Sequence, residues 1–167
     1  MSEAAAQRNE ATIRRLYDGL DRHDGEAMAS CYAADASFSD PAFPDLHGSQ
    51  PGDMWRMLTE RATDLGCELV ECKADDEAGS ATWIATYTFG DSGRKVVNRV
   101  TSSMRFDDAG LIAEQHDEFP FWTWARQALG LPGLALGWTP MLRSKVQSNA
   151  AAQLARFRAD SQQSPAS

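Results

Sequence analysis

One carboxylate of this chain, Asp40, stands in surroundings that suit proton chemistry, and a second, Asp117, alternates with outward charges so that it faces inward. Asp40 lies in the run Phe38-Ser39-Asp40-Pro41-Ala42-Phe43, and Trp55 follows on the next helical segment. Apolar neighbours that partly desolvate a carboxylate raise its pKa and make it a stronger base, as proton abstraction beside a carbonyl requires. An aspartate before proline also starts turns through an Asx hydrogen bond, so a purely local role stands beside the chemical one. Asp117 falls in the alternating segment Leu111 to Phe119; its alternative role is a salt bridge or a solvated carboxylate at a sheet end. If both acids meet in one pocket they will not ionise equally, and one becomes the acid and the other the base. Asn98 and Ser102 offer hydrogen bonds to a ligand oxygen, or to each other. The histidines His23, His47 and His116 lack metal-ligand spacing, and no glycine-rich loop precedes a helix as nucleotide phosphates need, so neither a metal nor a cofactor is expected.

Composition narrows the classes. With 167 residues, 43% hydrophobic and 24% charged, the chain has the length and content of one globular domain. No apolar run approaches the roughly 18 residues needed to span a bilayer. The start, MSEAAAQRNEATIRR, has no apolar core of a signal peptide, so a cytoplasmic location and no membrane partner are expected. Cys31, Cys67 and Cys72 are odd in number and form no C-x-x-C pair, which points to reduced thiols. A net charge of -8 disfavours nucleic acid.

The elements that must hold these side chains follow from periodicity. Ile13, Leu16, Tyr17 and Leu20 recur at helical steps from Ala4 to Leu20, and Asp24 caps a second helix expected to end near Ala34. Ser37 to Ser39 is a brief extended stretch, followed by a loop from Asp40 to Pro51 carrying Pro44 and Gly48. Met54, Trp55, Leu58, Ala62 and Leu65 restore helical spacing over Gly52 to Gly66, with Gly66 as a C-cap. Four strands are expected at Glu68–Glu71, Ala81–Phe89, Lys95–Phe106 and Leu111–Phe119, joined by tight turns into an antiparallel sheet. The fold class is α+β: helices covering a curved sheet around a cone-shaped pocket, one domain over 1–160 with a C-terminal helical extension from about 122 and a disordered tail over 161–167.

Alternation selects the inward face of each strand. Trp83, Ala85, Tyr87 and Phe89 form the apolar side of one; Asn98 and Ser102 oppose the charged Arg99 and Arg105 on the next; Ala113, Gln115, Asp117 and Phe119 oppose Glu114, His116 and Glu118 on the last. The expected lining is therefore Tyr17, Trp55, Trp83, Tyr87, Asn98, Ser102 and Phe119 around Asp40 and Asp117.

The order of elements, with Tyr32-Ala33-Ala34-Asp35-Ala36-Ser37-Phe38-Ser39-Asp40-Pro41, Gly93-Arg94-Lys95-Val96-Val97 and Glu114 to Trp122, resembles the SnoaL-like and ketosteroid-isomerase-like members of the nuclear transport factor 2-like superfamily over roughly residues 8 to 122. The resemblance implies that Asp40 occupies the position of the isomerases' general base and that Asp117 matches a last-strand acid of SnoaL-like cyclases and limonene epoxide hydrolases. The oxyanion-hole acid of the isomerases falls on Ser102 and its tyrosine on Leu16, with Tyr17 one residue away, so steroid isomerase activity is not expected. The hydrolase triad fails too, because Arg99 is followed by Val100 and Thr101. What the resemblance leaves is a cofactor-independent acid–base enzyme of isomerase, cyclase or hydrolase type acting on a hydrophobic small molecule, carbonyl-bearing or polycyclic, in a homodimer. The alternatives are a ligand-binding or dimeric interaction module of the same fold.

Overall fold

The computed structural model describes residues 2–163. Helix α1 (Glu3–Asp21) is capped by Ser2, whose hydroxyl accepts from the Ala5 amide, and it buries Ile13, Leu16, Tyr17 and Leu20 along one stripe. The Asp24 side chain caps α2 (Gly25–Ala29). This helix is shorter than its spacing suggests, because Tyr32 already begins strand β1 (Tyr32–Ser39). The alanine-rich run Tyr32 to Ala36 has little strand propensity of its own. It is extended because β1 is paired on both sides of the run, Tyr32 with Ile112 of the last strand, and Ser37 and Phe38 with both that strand and β2 (Leu46–His47). Helix α3 (Gln50–Arg61) ends before Gly66, which opens β3 (Gly66–Ala74) rather than capping the helix.

Strands β4 (Ala78–Phe89), β5 (Arg94–Phe106) and β6 (Ile112–Glu118) complete a sheet of order β2-β1-β6-β5-β4-β3. The sheet has six strands and is mixed, since β1 runs parallel to β6 while all other neighbours are antiparallel. Two of the three expected hairpin turns form through aspartates: Asp75 Oδ1 accepts from the Glu77 and Ala78 amides, and Asp107 Oδ1 from those of Ala109 and Leu111. At Gly79 a Cβ would come within 2.9 Å of Ile13 Cδ1 and 3.0 Å of the Lys73 carbonyl, so glycine lets α1 settle on the sheet.

The inward faces of β4 and β5 are those expected, with Ala81, Trp83, Ala85, Val96, Asn98, Val100, Ser102 and Met104 buried. On β6 the parity holds for Gln115 and Asp117 but not for Ala113. A bulge opposite Arg105 and Phe106 shifts the register, and Ile112 is buried in its place. The main core lies between this face and α1, α2 and α3.

Three helices follow the sheet: α4 (Phe121–Leu129), α5 (Leu131–Leu136) and α6 (Pro140–Gln163). Beyond Glu118 the chain leaves the β5 edge, and Gln127 of α4 supplies the missing partner. Its Oε1 accepts from the Val97 amide at 2.9 Å and its Nε2 donates to the Val97 carbonyl at 3.1 Å. Phe121, Trp124, Ala125 and Ala128 pack there on Val96 as a second, smaller core. Helix α6 returns over its own domain, burying Leu154 and setting Arg158 on Asp53 at 2.9 Å. Residues 161–163, expected to belong to a disordered tail, continue this helix; 164–167 lie outside the described residues.

Candidate active site

Asp117 is 2% exposed, at the inner face of β6. Gln115, two residues earlier on the same face, donates Nε2 to Asp117 Oδ1 at 2.9 Å, and its Oε1 accepts from the Tyr32 hydroxyl at 2.6 Å. That hydroxyl in turn accepts from Trp55 Nε1 at 2.8 Å. A buried hydrogen-bonded chain thus runs from α3 through β1 to β6 and ends on the carboxylate. Its direction is fixed, because indole nitrogen can only donate and Tyr32 gives its single proton to Gln115.

A second group stands on Ser102, the ladder partner of Asp117. Trp83 Nε1 donates to Ser102 Oγ at 2.9 Å, and Tyr17 Oη lies 2.7 Å from the same atom. When Tyr17 donates, both Ser102 lone pairs are filled and the serine proton is free to turn toward Asp117. Tyr17, one helical residue off the position the resemblance singled out, therefore still reaches the acid's neighbour.

Burial pushes the Asp117 carboxyl up to about 7; the Ser102 hydroxyl and the Gln115 carboxamide oppose the rise, and the charge of Asp40 adds to it. Burial likewise lifts Asp40 to about 6, against the pull of the Phe43 and Ala42 amides and, more weakly, His116. The two amides bond Asp40 Oδ1 at 2.6 and 2.7 Å, which is the Asx turn that Asp-Pro favours. The local and chemical roles are compatible, because both bonds fall on one oxygen and Oδ2 has no hydrogen bond among the described residues. Tyr17 and Tyr32 are held well above the ordinary phenol value, first by burial and then by the charge of Asp117, so both remain donors.

Asp40 and Asp117 both border one groove of about 810 Å³ where β6 turns into α4, Asp117 with its side chain turned to the buried inner face of the strand. Pro41, Pro44 and Phe119 give it apolar walls, while Arg99 and Arg143 bring positive charge. Neither arginine is ion-paired among the described residues. The start of α6 forms one side, where Gln147 Nε2 donates to the Pro41 carbonyl at 3.1 Å. The extension therefore borders the groove of its own domain.

Of the nine positions expected to form the site, Asp40, Asp117 and Phe119 line this groove. Tyr17, Trp55 and Trp83 lie deeper and pack on one another, with ring centroids 5.0 Å apart for Tyr17–Trp83 and 6.5 Å for Trp55–Trp83. They fill the interior and are absent from the groove's wall. Ser102 joins them as the hydrogen-bonded hub, and Asn98 is buried on the same sheet face. Tyr87 faces the smaller core, its hydroxyl accepting from Trp124 Nε1 at 2.8 Å. Sequence reasoning missed Tyr32, which was read as helical, and passed over Gln115 although its parity matched that of Asp117. It also left out Arg143, whose place depends on the return of α6. His116 and His47 are exposed, beside Glu118 and Asp45 respectively. Among the described residues no three His, Cys, Asp or Glu side chains converge as metal ligands.

A curved, unclosed mixed sheet with helices over its concave face and buried polar groups at one end is the nuclear transport factor 2-like architecture. Residues 13–115 match the family model of the SnoaL-like domain, and the chain belongs to that family. Among solved structures it is similar to an LEH-like epoxide hydrolase from M. tuberculosis, with a TM-score of 0.61 and 16% identity over 82% of this chain and 96% of that one. At that identity the likeness is one of fold. No curated protein matches the sequence.

Proposed function

We propose that the chain is a cofactor-independent acid–base enzyme of isomerase, cyclase or hydrolase type, acting on a hydrophobic, carbonyl-bearing or polycyclic small molecule. The observation that supports this reading is a pair of neighbouring carboxyls, raised to about 6 and about 7, on two residues that border one groove. Near neutral pH the pair holds about one proton. Asp40, the lower of the two, is the base and takes a substrate proton on Oδ2. Asp117, the higher, is the acid and gives its proton to the oxygen on which charge develops; Gln115 holds it through Oδ1 in either state. Ionisation of one acid opposes that of the other, so the titration belongs to the pair. Phe119, Pro41 and Pro44 suit an apolar ligand body.

Fold likeness supplies only a prior for chemistry. A ligand carrier of the same fold is the second reading, favoured by the commitment of Asp40 Oδ1 to its turn. Native mass spectrometry of protein purified from its own cell extract separates the two. A retained compound converted by the wild type and left unchanged by Asp40→Asn supports the enzyme, and one left unchanged by both supports the carrier. The expected homodimer would use the exposed sheet face around Val97 and Thr101, and sedimentation showing only monomer at micromolar concentration would exclude it.

A further inference from the structure

The region between α4 and α6 carries most of the large apolar side chains that the domain leaves in water. Leu131 is 79% exposed, Trp138 74% and Met141 72%, with Leu134 and Leu136 half or nearly half exposed beside them. Among the described residues the other exposed large apolar side chains are Trp122 on the adjoining α4, and Leu58, Val70 and Val97 on separate elements. The patch is held in place rather than dangling. At Gly133 a Cβ would overlap the Ala125 carbonyl, so α5 is pressed directly onto α4. The indole donors near it are satisfied within the segment, Trp138 Nε1 by the Ala135 carbonyl at 3.1 Å and Trp122 Nε1 by that of Leu134 at 3.3 Å. Leaving water therefore costs these rings no hydrogen bond.

Charge distinguishes the possible occupants. In a chain with 24 acidic residues, none stands between Glu118 and Asp160. Arg126, Arg143 and Lys145 flank the patch in sequence; all three are exposed and none is ion-paired among the described residues, Arg126 lying over the Trp122 ring and Arg143 over that of Phe121. Joining two copies patch to patch would bring these cations together, and joining the patch to another face of a second copy would meet only scattered apolar residues. An apolar layer bordered by negative charge fits both features at once.

We propose that α5 and its flanking turns dock in the interfacial plane of an anionic lipid leaflet, with Leu131, Trp138 and Met141 inserted and Arg126, Arg143 and Lys145 at the headgroups. No described helix is long and apolar enough to cross a membrane, and this contact requires none to do so. The sequence expectation of no membrane partner is thereby narrowed to spanning segments. The inference does not rest on the chemistry at Asp40 and Asp117, although Arg143 also borders their groove.

The test is co-sedimentation of the full chain with vesicles of phosphatidylcholine alone and of phosphatidylcholine with an equal part of phosphatidylglycerol. Binding should be about 100-fold tighter to the anionic vesicles, as expected for three basic groups at the surface. It should weaken with salt and shift tryptophan emission to the blue. The double variant Leu131→Glu, Met141→Glu should lose binding while its circular dichroism and sedimentation mass stay those of the wild type. Three results overturn the proposal: no binding to either vesicle, binding that survives the double substitution, or a variant whose mass changes while the wild type ignores lipid. The last would make the patch a protein contact.

Discussion

Replacing Asp117 by Asn should stabilise the protein at alkaline pH while removing its activity. The carboxyl stands at about 7 in the fold against an ordinary 3.8, so the folded state holds its proton more tightly than the unfolded chain does. Stability from this group is therefore fully present below about pH 4 and is lost as pH rises, until above 7 the fold carries an ionised, buried carboxylate at a cost on the order of 4 kcal/mol. Asparagine keeps an oxygen to accept from Gln115 Nε2 and has no charge to bury. The free-energy difference between variant and wild type should thus open in the variant's favour by about 3 kcal/mol from pH 5 to pH 8. Urea unfolding at several pH values, fitted for both proteins with a common m-value, reads this directly. Other groups cancel in the difference. A gap that stays flat from pH 5 to pH 8, or closes, would refute the assignment of Asp117 as a buried acid raised to neutrality.

Other consequences are accessible to the same methods. With a natural substrate in hand, kcat/KM should follow a bell with limbs near pH 6 and 7, and Asp40→Asn should depress turnover by at least about 100-fold through loss of the base. Tyr32→Phe leaves Trp55 Nε1 and Gln115 Oε1 without partners and should cost about 2 to 4 kcal/mol in urea unfolding. Gln127→Ala removes both bonds to the Val97 backbone, and should cost about 1 kcal/mol and speed hydrogen exchange of the Val97 amide.

The sequence carried the architecture well where one face of an element is buried. The stripe Ile13, Leu16, Tyr17 and Leu20, and the alternation through Ala81, Trp83 and Ala85 and from Val96 to Met104, each bury one side of their element. It misled where pairing overrides local preference. Tyr32 to Ala34 reads as the end of a helix, and only the pairing of β1 with β6, begun at Tyr32 and resumed at Ser37, makes it part of a strand, which hid the parallel pairing and Tyr32 with it. Likewise a bulge, which no single-residue signal marks, exchanged Ala113 for Ile112. Asp40 and Asp117 were legible because one precedes a proline among aromatics and the other alternates with outward charges. The expected aromatic lining was not: residue type shows that a ring will be buried, and neighbours three elements away decide whether it walls a groove or fills the core.

The most direct test needs no substrate. Carbon-detected NMR of the aspartate side-chain carboxyls, followed against pH, should show two resonances titrating between about pH 6 and 7, one absent from Asp40→Asn and the other from Asp117→Asn. In Asp40→Asn the remaining Asp117 should titrate lower, its charged neighbour having gone, while Asp40 in Asp117→Asn should stay near 6 because Asp117 is still neutral when Asp40 ionises. If every aspartate carboxyl instead titrates below about pH 5, within the ordinary range, the groove does not hold the raised pair on which the proposed acid–base chemistry rests.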